Sequence, residues 1–281
     1  MKACMKNDAA VAKVGAGRAL RTLLMACTVA FASTAMAAAA AKPRAKPVPP
    51  PPQTIARPTP FSSGPLAAIA PPGWTVQTLP KVQRQTRYDL IRDDLSGGNG
   101  SIVLRARADG SASSLRHGLF ADPKLTPILR WRWRTERVLQ GGDMTSKDGD
   151  DYAARLYVFF DRSEDKMTMK ERAMLKLGRM RYGDQLPAAA LCYVWDNRQP
   201  VGTIRDNAYT PFVAMVAASS GGAQAGQWVS LQRDVAEDYR RAFNTDPPRI
   251  IGVAVSVDTD NTGESTTSYF GDIEFVAGSK R

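Results

Sequence analysis

The stretch from Pro127 to Asp161, PILRWRWRTERVLQGGDMTSKDGDDYAARLYVFFD, constrains the fold more than any other part of the chain. It contains two runs in which side chains alternate with period two. In the first, Leu129, Trp131 and Trp133 share one face, and Arg130, Arg132 and Arg134 share the other. In the second, Asp151, Ala153, Arg155, Tyr157 and Phe159 oppose Tyr152, Ala154, Leu156, Val158 and Phe160. Successive side chains of a strand point to opposite sides of its sheet, so this alternation is the signature of strands with one apolar and one chemically loaded face.

The same reading extends along the chain. Candidate strands are Trp74–Thr78, Thr86–Arg92, Ser101–Ala106, Ile128–Val138, Tyr152–Asp161, Ala189–Trp195, Phe212–Ala217, Trp228–Gln232, Ile250–Val257 and Thr266–Phe275. Gly, Asn, Asp and Pro punctuate them, as at Ser96–Gly100 and Asp246–Pro248. Strands dominate and no βαβ alternation occurs, which points to an all-β, antiparallel sandwich with one or two short helices. One helix is expected over Asp234–Phe243, capped by Asp234, with Val235, Tyr239 and Ala242 on the face that covers a sandwich edge. The other is expected over Ser163–Arg181. It aligns Met169, Ala173, Leu177 and Met180 in one stripe, with Lys170, Arg172, Lys176, Arg179 and Arg181 elsewhere. Three readings fit that helix: an insertion docked on the sheet with a solvated basic side, a surface for anionic membrane, or a lid.

The first 37 residues read as a secretory signal. Lys2, Lys6, Lys13, Arg18 and Arg21 precede a short apolar core at 23–32, and Ala35-Met36-Ala37 is an A-x-A cleavage site. Leu24-Met25-Ala26-Cys27 also resembles a lipobox, with Cys27 as the lipidated residue, although it leaves a very short apolar region. Cleavage near Ala37 would lower the formal charge from +11 to about +7 and leave Cys192 as the one cysteine. That residual charge suits anionic envelope components and is too weak to argue for nucleic acid. Residues 38–60 form a proline-rich linker and 61–281 one domain. No later segment approaches the about 20 apolar residues of a membrane span. The expected location is thus the periplasm or the exterior.

Several residues suit chemistry. If the two alternating strands were neighbours, Arg132, Arg134, Asp151 and Arg155 would form a polar floor able to grip sugar hydroxyls or carboxylates, or else a salt-bridge ladder. Trp131 and Trp133 read as core, and Trp195, at a strand end, as the better candidate for ligand contact. Cys192 lies in an apolar strand and reads as a buried, inert thiol, and the single histidine, His117, in a loop. Asp258 and Asp260, in DTDNTGE, suggest calcium weakly, because the position where a calcium loop needs its closing acid holds Tyr269. Asp272 and Glu274 share a strand face, but two acids so placed do not make a glycosidase site. There is no G-x-S-x-G and no zinc-ligand cluster.

Taken in order, Trp131-Arg132-Trp133, Asp150-Asp151-Tyr152-Ala153-Ala154-Arg155, Tyr193-Val194-Trp195, Gln227-Trp228-Val229, Asp238-Tyr239 with Phe243, 258–262 and 269–273 resemble a bacterial family of exported proteins, domain of unknown function 3047. That family has no established catalytic residues to carry over. The closing strand, Tyr269–Phe275, is similar to the last strand of carbohydrate-binding jelly rolls. This resemblance implies a jelly-roll-like sandwich and, by analogy only, a glycan or other polyhydroxylated or anionic envelope ligand. The reading is therefore a non-catalytic exported binding module, with Arg132, Arg134, Asp151, Arg155 and Trp195 as contacts and no cofactor beyond the weak calcium signal. A hydrolase using carboxylates and an envelope assembly protein are the alternatives.

Overall fold

A computed structural model describes residues 57–278, apart from 81, 184 and 185. The expected signal and most of the linker lie outside the described residues. The chain forms β1 (Trp74–Gln77), β2 (Arg87–Arg92), β3 (Ile102–Asp109), β4 (Ser114–Ala121), β5 (Ile128–Thr135) and β6 (Tyr152–Phe160). Then come α1 (Met169–Tyr182), β7 (Ala190–Asp196), β8 (Ile204–Asn207), β9 (Thr210–Ser220) and β10 (Val229–Asp234). The last elements are α2 (Val235–Phe243), β11 (Ile250–Asp258), β12 (Ser265–Phe270) and β13 (Glu274–Val276).

Two sheets face each other. The larger runs β1-β4-β11-β6-β7-β9-β8, and the smaller runs β10-β5-β12-β3-β2 with β13 also on β5. This is the expected all-β, jelly-roll-like sandwich. One pair, β7 with β9, is parallel. The chain leaves β7, runs past to the edge as β8, and turns back so that β9 fills the space between them.

Period-two alternation places the core where the sequence put it. Leu129, Trp131 and Trp133 of β5 meet Ala154, Leu156, Val158 and Phe160 of β6, and Tyr193 and Trp195 of β7, between the sheets. Trp131 packs edge-on to Trp133 at 5.4 Å and against Tyr193 at 5.3 Å, while Trp133 lies 6.1 Å from Trp195. Ser268 links the sheets, its hydroxyl donating to the Ala153 carbonyl. The central strands of the larger sheet are buried on both faces. Outside them a second apolar layer gathers Cys192, Met215 and Phe159 under Met144 of the 136–151 loop. Cys192 is buried there, and burial pushes its thiol up to about 12, so it carries no thiolate at neutral pH.

Both helices form. Asp234 caps α2 by accepting from the Ala236 and Glu237 N–H groups, and Val235 and Tyr239 enter the core. Asp238 of α2 pairs with Arg233 and accepts from the Tyr193 hydroxyl. Helix α1 starts at a capping box between Thr168 and Glu171. It docks through Leu175, which packs with Met167 and Phe212.

Three local expectations change. His117 belongs to β4, not to a loop: Leu115 and Leu119 face the core, and polar His117 between them, with apolar Phe120 exposed on the outer face, hides the alternation. Strand β8 is too short and polar to give a signal. The last expected strand is broken into β12 and β13 at 271–273. The folded domain also takes in the end of the proline-rich segment. Pro58 is buried, Thr59 N–H donates to His117 Nε2 at 3.2 Å, and Trp74 donates to the Thr59 carbonyl at 2.8 Å.

Candidate functional site

The two alternating strands are not neighbours. β5 belongs to the smaller sheet and β6 to the larger, so Arg132 and Arg134 project from one outer face and Arg155 from the opposite one. The shared floor expected from Arg132, Arg134, Asp151 and Arg155 does not exist. Both runs alternate, but alternation sets a side chain's face within its own sheet and not which sheet a strand joins.

On the smaller sheet, Arg132 and Arg134 clamp the loop between β2 and β3. Arg132 donates to Asp93 at 2.9 Å, to Asn99 at 3.0 Å and to Ser101 at 3.1 Å. Its guanidinium lies 4.2 Å from the centre of the Trp228 ring, whose N–H donates to the other Asp93 oxygen at 3.1 Å. Arg134 is buried and donates to the Ser96 carbonyl at 3.1 Å. Gly271 is required here, because a Cβ at that position would fall 2.5 Å from Arg132 Cγ.

On the larger sheet, Arg155 is buried and bonded through both terminal nitrogens, while its Nε has no hydrogen-bond partner among the described residues. It pairs with Asp258 and, at 3.4 Å, with Asp150, and lies 4.4 Å from the Tyr152 ring centre. Burial drives the Asp258 carboxyl up, and neighbouring Asp151 and Asp150 add repulsion that Arg155 only partly offsets, leaving it at about 7. Burial likewise raises Asp150. Asp151 is buried and accepts from the Thr262 N–H at 2.7 Å. Trp195, 2 % exposed, is a core residue that donates to the Gly221 carbonyl, so it cannot meet a ligand. It sits at the end of its strand, as expected, but points inward under the 221 turn.

The 258–263 segment is the turn between β11 and β12. Asp258 faces Arg155 and the Ser256 hydroxyl, whereas Asp260 is exposed. Asn261 and Thr262 dock the turn on the 147–151 loop. Apart from exposed Asp260, its polar residues are thus spent on hydrogen bonds within the protein. Among the described residues no group of three or more His, Cys, Asp or Glu is placed to hold a metal ion.

The open site lies beside the Arg132 clamp, where the break between β12 and β13 interrupts the sheet. A groove of about 640 Å³ runs there over the outer face. Arg130, Trp131 and Arg132 from β5 and Ser230, Leu231 and Gln232 from β10 line one side. Ser62, Asn99, Ser101, Ile102, Asp272 and Glu274 line the other. Asp272 is held by Ser62, which donates its N–H at 2.9 Å and its hydroxyl at 2.5 Å. Arg130 reaches Gln232 at 2.9 Å and Glu274 at 3.9 Å, and half of its side chain stays in solvent. The groove offers donors, acceptors and two carboxylates on an open sheet face, while Trp131, Leu231 and Ile102 turn into the core beneath it, so it suits a polar ligand. Of the five expected contacts, only Arg132 borders it. Arg130 was visible on the same strand face, but Ser230 and Gln232 reach it from a strand about 100 residues away.

A family model matches residues 72–274. The chain belongs to the family described as "Protein of unknown function (DUF3047)". A search of the curated proteins finds no match. Among solved structures, the chain is similar to a family 30 carbohydrate-binding module of a cellulosomal cellulase of Clostridium thermocellum. Identity there is 10 %, over 80 % of this chain and 96 % of that one, with a TM-score of 0.33. It is also similar to the xyloglucanase domain of NopAA, a type three effector from Sinorhizobium fredii, at 8 % identity. That match covers 75 % of this chain and all of the other, with a TM-score of 0.37. A third match is SGBP-B from a xyloglucan utilization locus in Bacteroides uniformis, at 11 % identity over 76 % and 49 % of the chains, with a TM-score of 0.32. Matches this distant assign no residue of the DUF3047 protein a role.

Proposed function

We propose that this protein is a non-catalytic binding module of the cell envelope that holds a glycan, or another polyhydroxylated or anionic ligand, in the groove of the smaller sheet. The observation that supports this reading is the groove itself. Its lining sets hydroxyl, amide, guanidinium and carboxylate groups side by side in one open groove, the oriented donors and acceptors that a sugar's hydroxyls demand. Arg130 and Gln232 are the contacts to test, because neither holds the 93–101 loop. A glycan array and a peptidoglycan pull-down identify the ligand. Calorimetry should then show Arg130→Ala and Gln232→Ala each weakening binding by about tenfold, one lost hydrogen bond to a charged or amide partner. No binding in either screen, or unchanged affinity in both variants, rejects the reading. Export belongs to the same proposal: fractionation and N-terminal sequencing should find a periplasmic chain beginning after Ala37.

One observation favours a hydrolase as the second reading: Asp272 and Glu274 border the same groove. Turnover of a glycoside or ester that Asp272→Asn abolishes, with folding intact, would establish it. Turnover that survives the substitution would remove it.

A further inference from the structure

Helix α1 is apolar on two opposed sides. Leu175 is buried against Met167 and Phe212 and attaches the helix to the domain. On the far side Met169, Leu177 and Met180 are 82 %, 66 % and 77 % exposed, with Ala173 between them. At 100° per residue these four fall within about 80° of arc. Four of the twelve exposed large hydrophobic side chains among the described residues sit on this helix, so the exposure is concentrated rather than scattered.

Charge frames the ridge. Arg172 and Lys176 follow one margin and Lys170 the other, all three exposed, and none pairs with an acid among the described residues. The helix's single acid, Glu171, is consumed by the N-terminal cap and by Arg162 at 2.5 Å. In the preceding turn Glu164 is held by Arg179, while Asp165 is exposed beyond the end of the ridge. A ridge of flexible methionine and leucine with cations on both margins matches the interface of an anionic bilayer. There apolar side chains enter the acyl boundary while lysine and arginine stems reach back to the headgroups.

We infer that the outward side of α1 docks this protein on an anionic lipid surface, lying in the interface without crossing it. The inference is independent of the groove. The test incubates the full chain with vesicles of phosphatidylcholine alone or mixed with phosphatidylglycerol, and reads cosedimentation together with trypsin cleavage after Lys170, Arg172 and Lys176. Anionic vesicles should protect those three sites, and salt should weaken binding. Leu177→Ser with Met180→Ser, or Lys170→Glu with Lys176→Glu, should lower the partition about tenfold or more. Each pair lies on the exposed side, and unchanged circular dichroism confirms the fold. Because the variants and the parent share the same N-terminal segment, the difference between them reports α1. Equal partition of parent and variants overturns the inference, as do unprotected sites on anionic vesicles. So does concentration-dependent self-association that the same variants abolish without vesicle binding, which would assign the ridge to a second copy.

Discussion

Arg132 and Arg155 have similar sequence settings and different physical roles. Arg132 neutralises Asp93, whose side chain is wholly buried, and holds the loop that bounds the groove. Arg132→Ala would strand that carboxylate, so urea denaturation should show a loss of about 3 kcal/mol. Arg155 stands among more acid than it can neutralise, and the Asp258 carboxyl is raised by burial from an ordinary 3.8 to about 7. The folded protein therefore binds a proton there that the unfolded chain releases, and stability should fall as pH rises from about 4 through about 7. Denaturation midpoints across that window test it: the decline should flatten in Asp258→Asn, and an unchanged slope would remove Asp258 as its source.

At the scale of elements, the interrupted β12–β13 strand matters most. In the sequence, Tyr269 to Phe275 reads as one strand, because Gly271, Asp272 and Ile273 do not break its alternation. In the fold, Arg132 lies across Gly271 and Ser62 holds Asp272, and the sheet opens into a groove at that place. Helix α1 was expected on its own periodicity, yet its long stripe is the exposed side, and Leu175, outside the stripe, is the anchor. A stripe read from sequence marks apolar residues, but burial depends on which side the neighbouring chain covers. Leu175→Ala should cost about 2–3 kcal/mol locally. Hydrogen exchange should rise in α1 while β6, β7 and β11 keep their protection, and a uniform rise across the domain would show that α1 is integral to the core.

At the scale of the whole molecule, the sandwich places two loaded faces back to back, with a core about 10 Å thick between them. Arg132→Lys and Arg155→Lys should then lower stability additively, within about 0.5 kcal/mol, because they share no partner. Coupling well above that in a double-mutant cycle would contradict the separation of the faces. The fold class, the core aromatics Trp131 and Trp133, the inert Cys192 and the capped helix α2 were all legible from the chain. Each depends on local periodicity or capping, which short-range sterics and burial impose on neighbouring residues. The pairing of β5 with β10, β12 and β13 rather than with β6, the inward turn of Trp195, and the groove between Arg130, Gln232 and Glu274 were decided only in three dimensions. Those features depend on which distant segments share hydrogen bonds, a competition settled by packing the entire chain and not by any stretch of it.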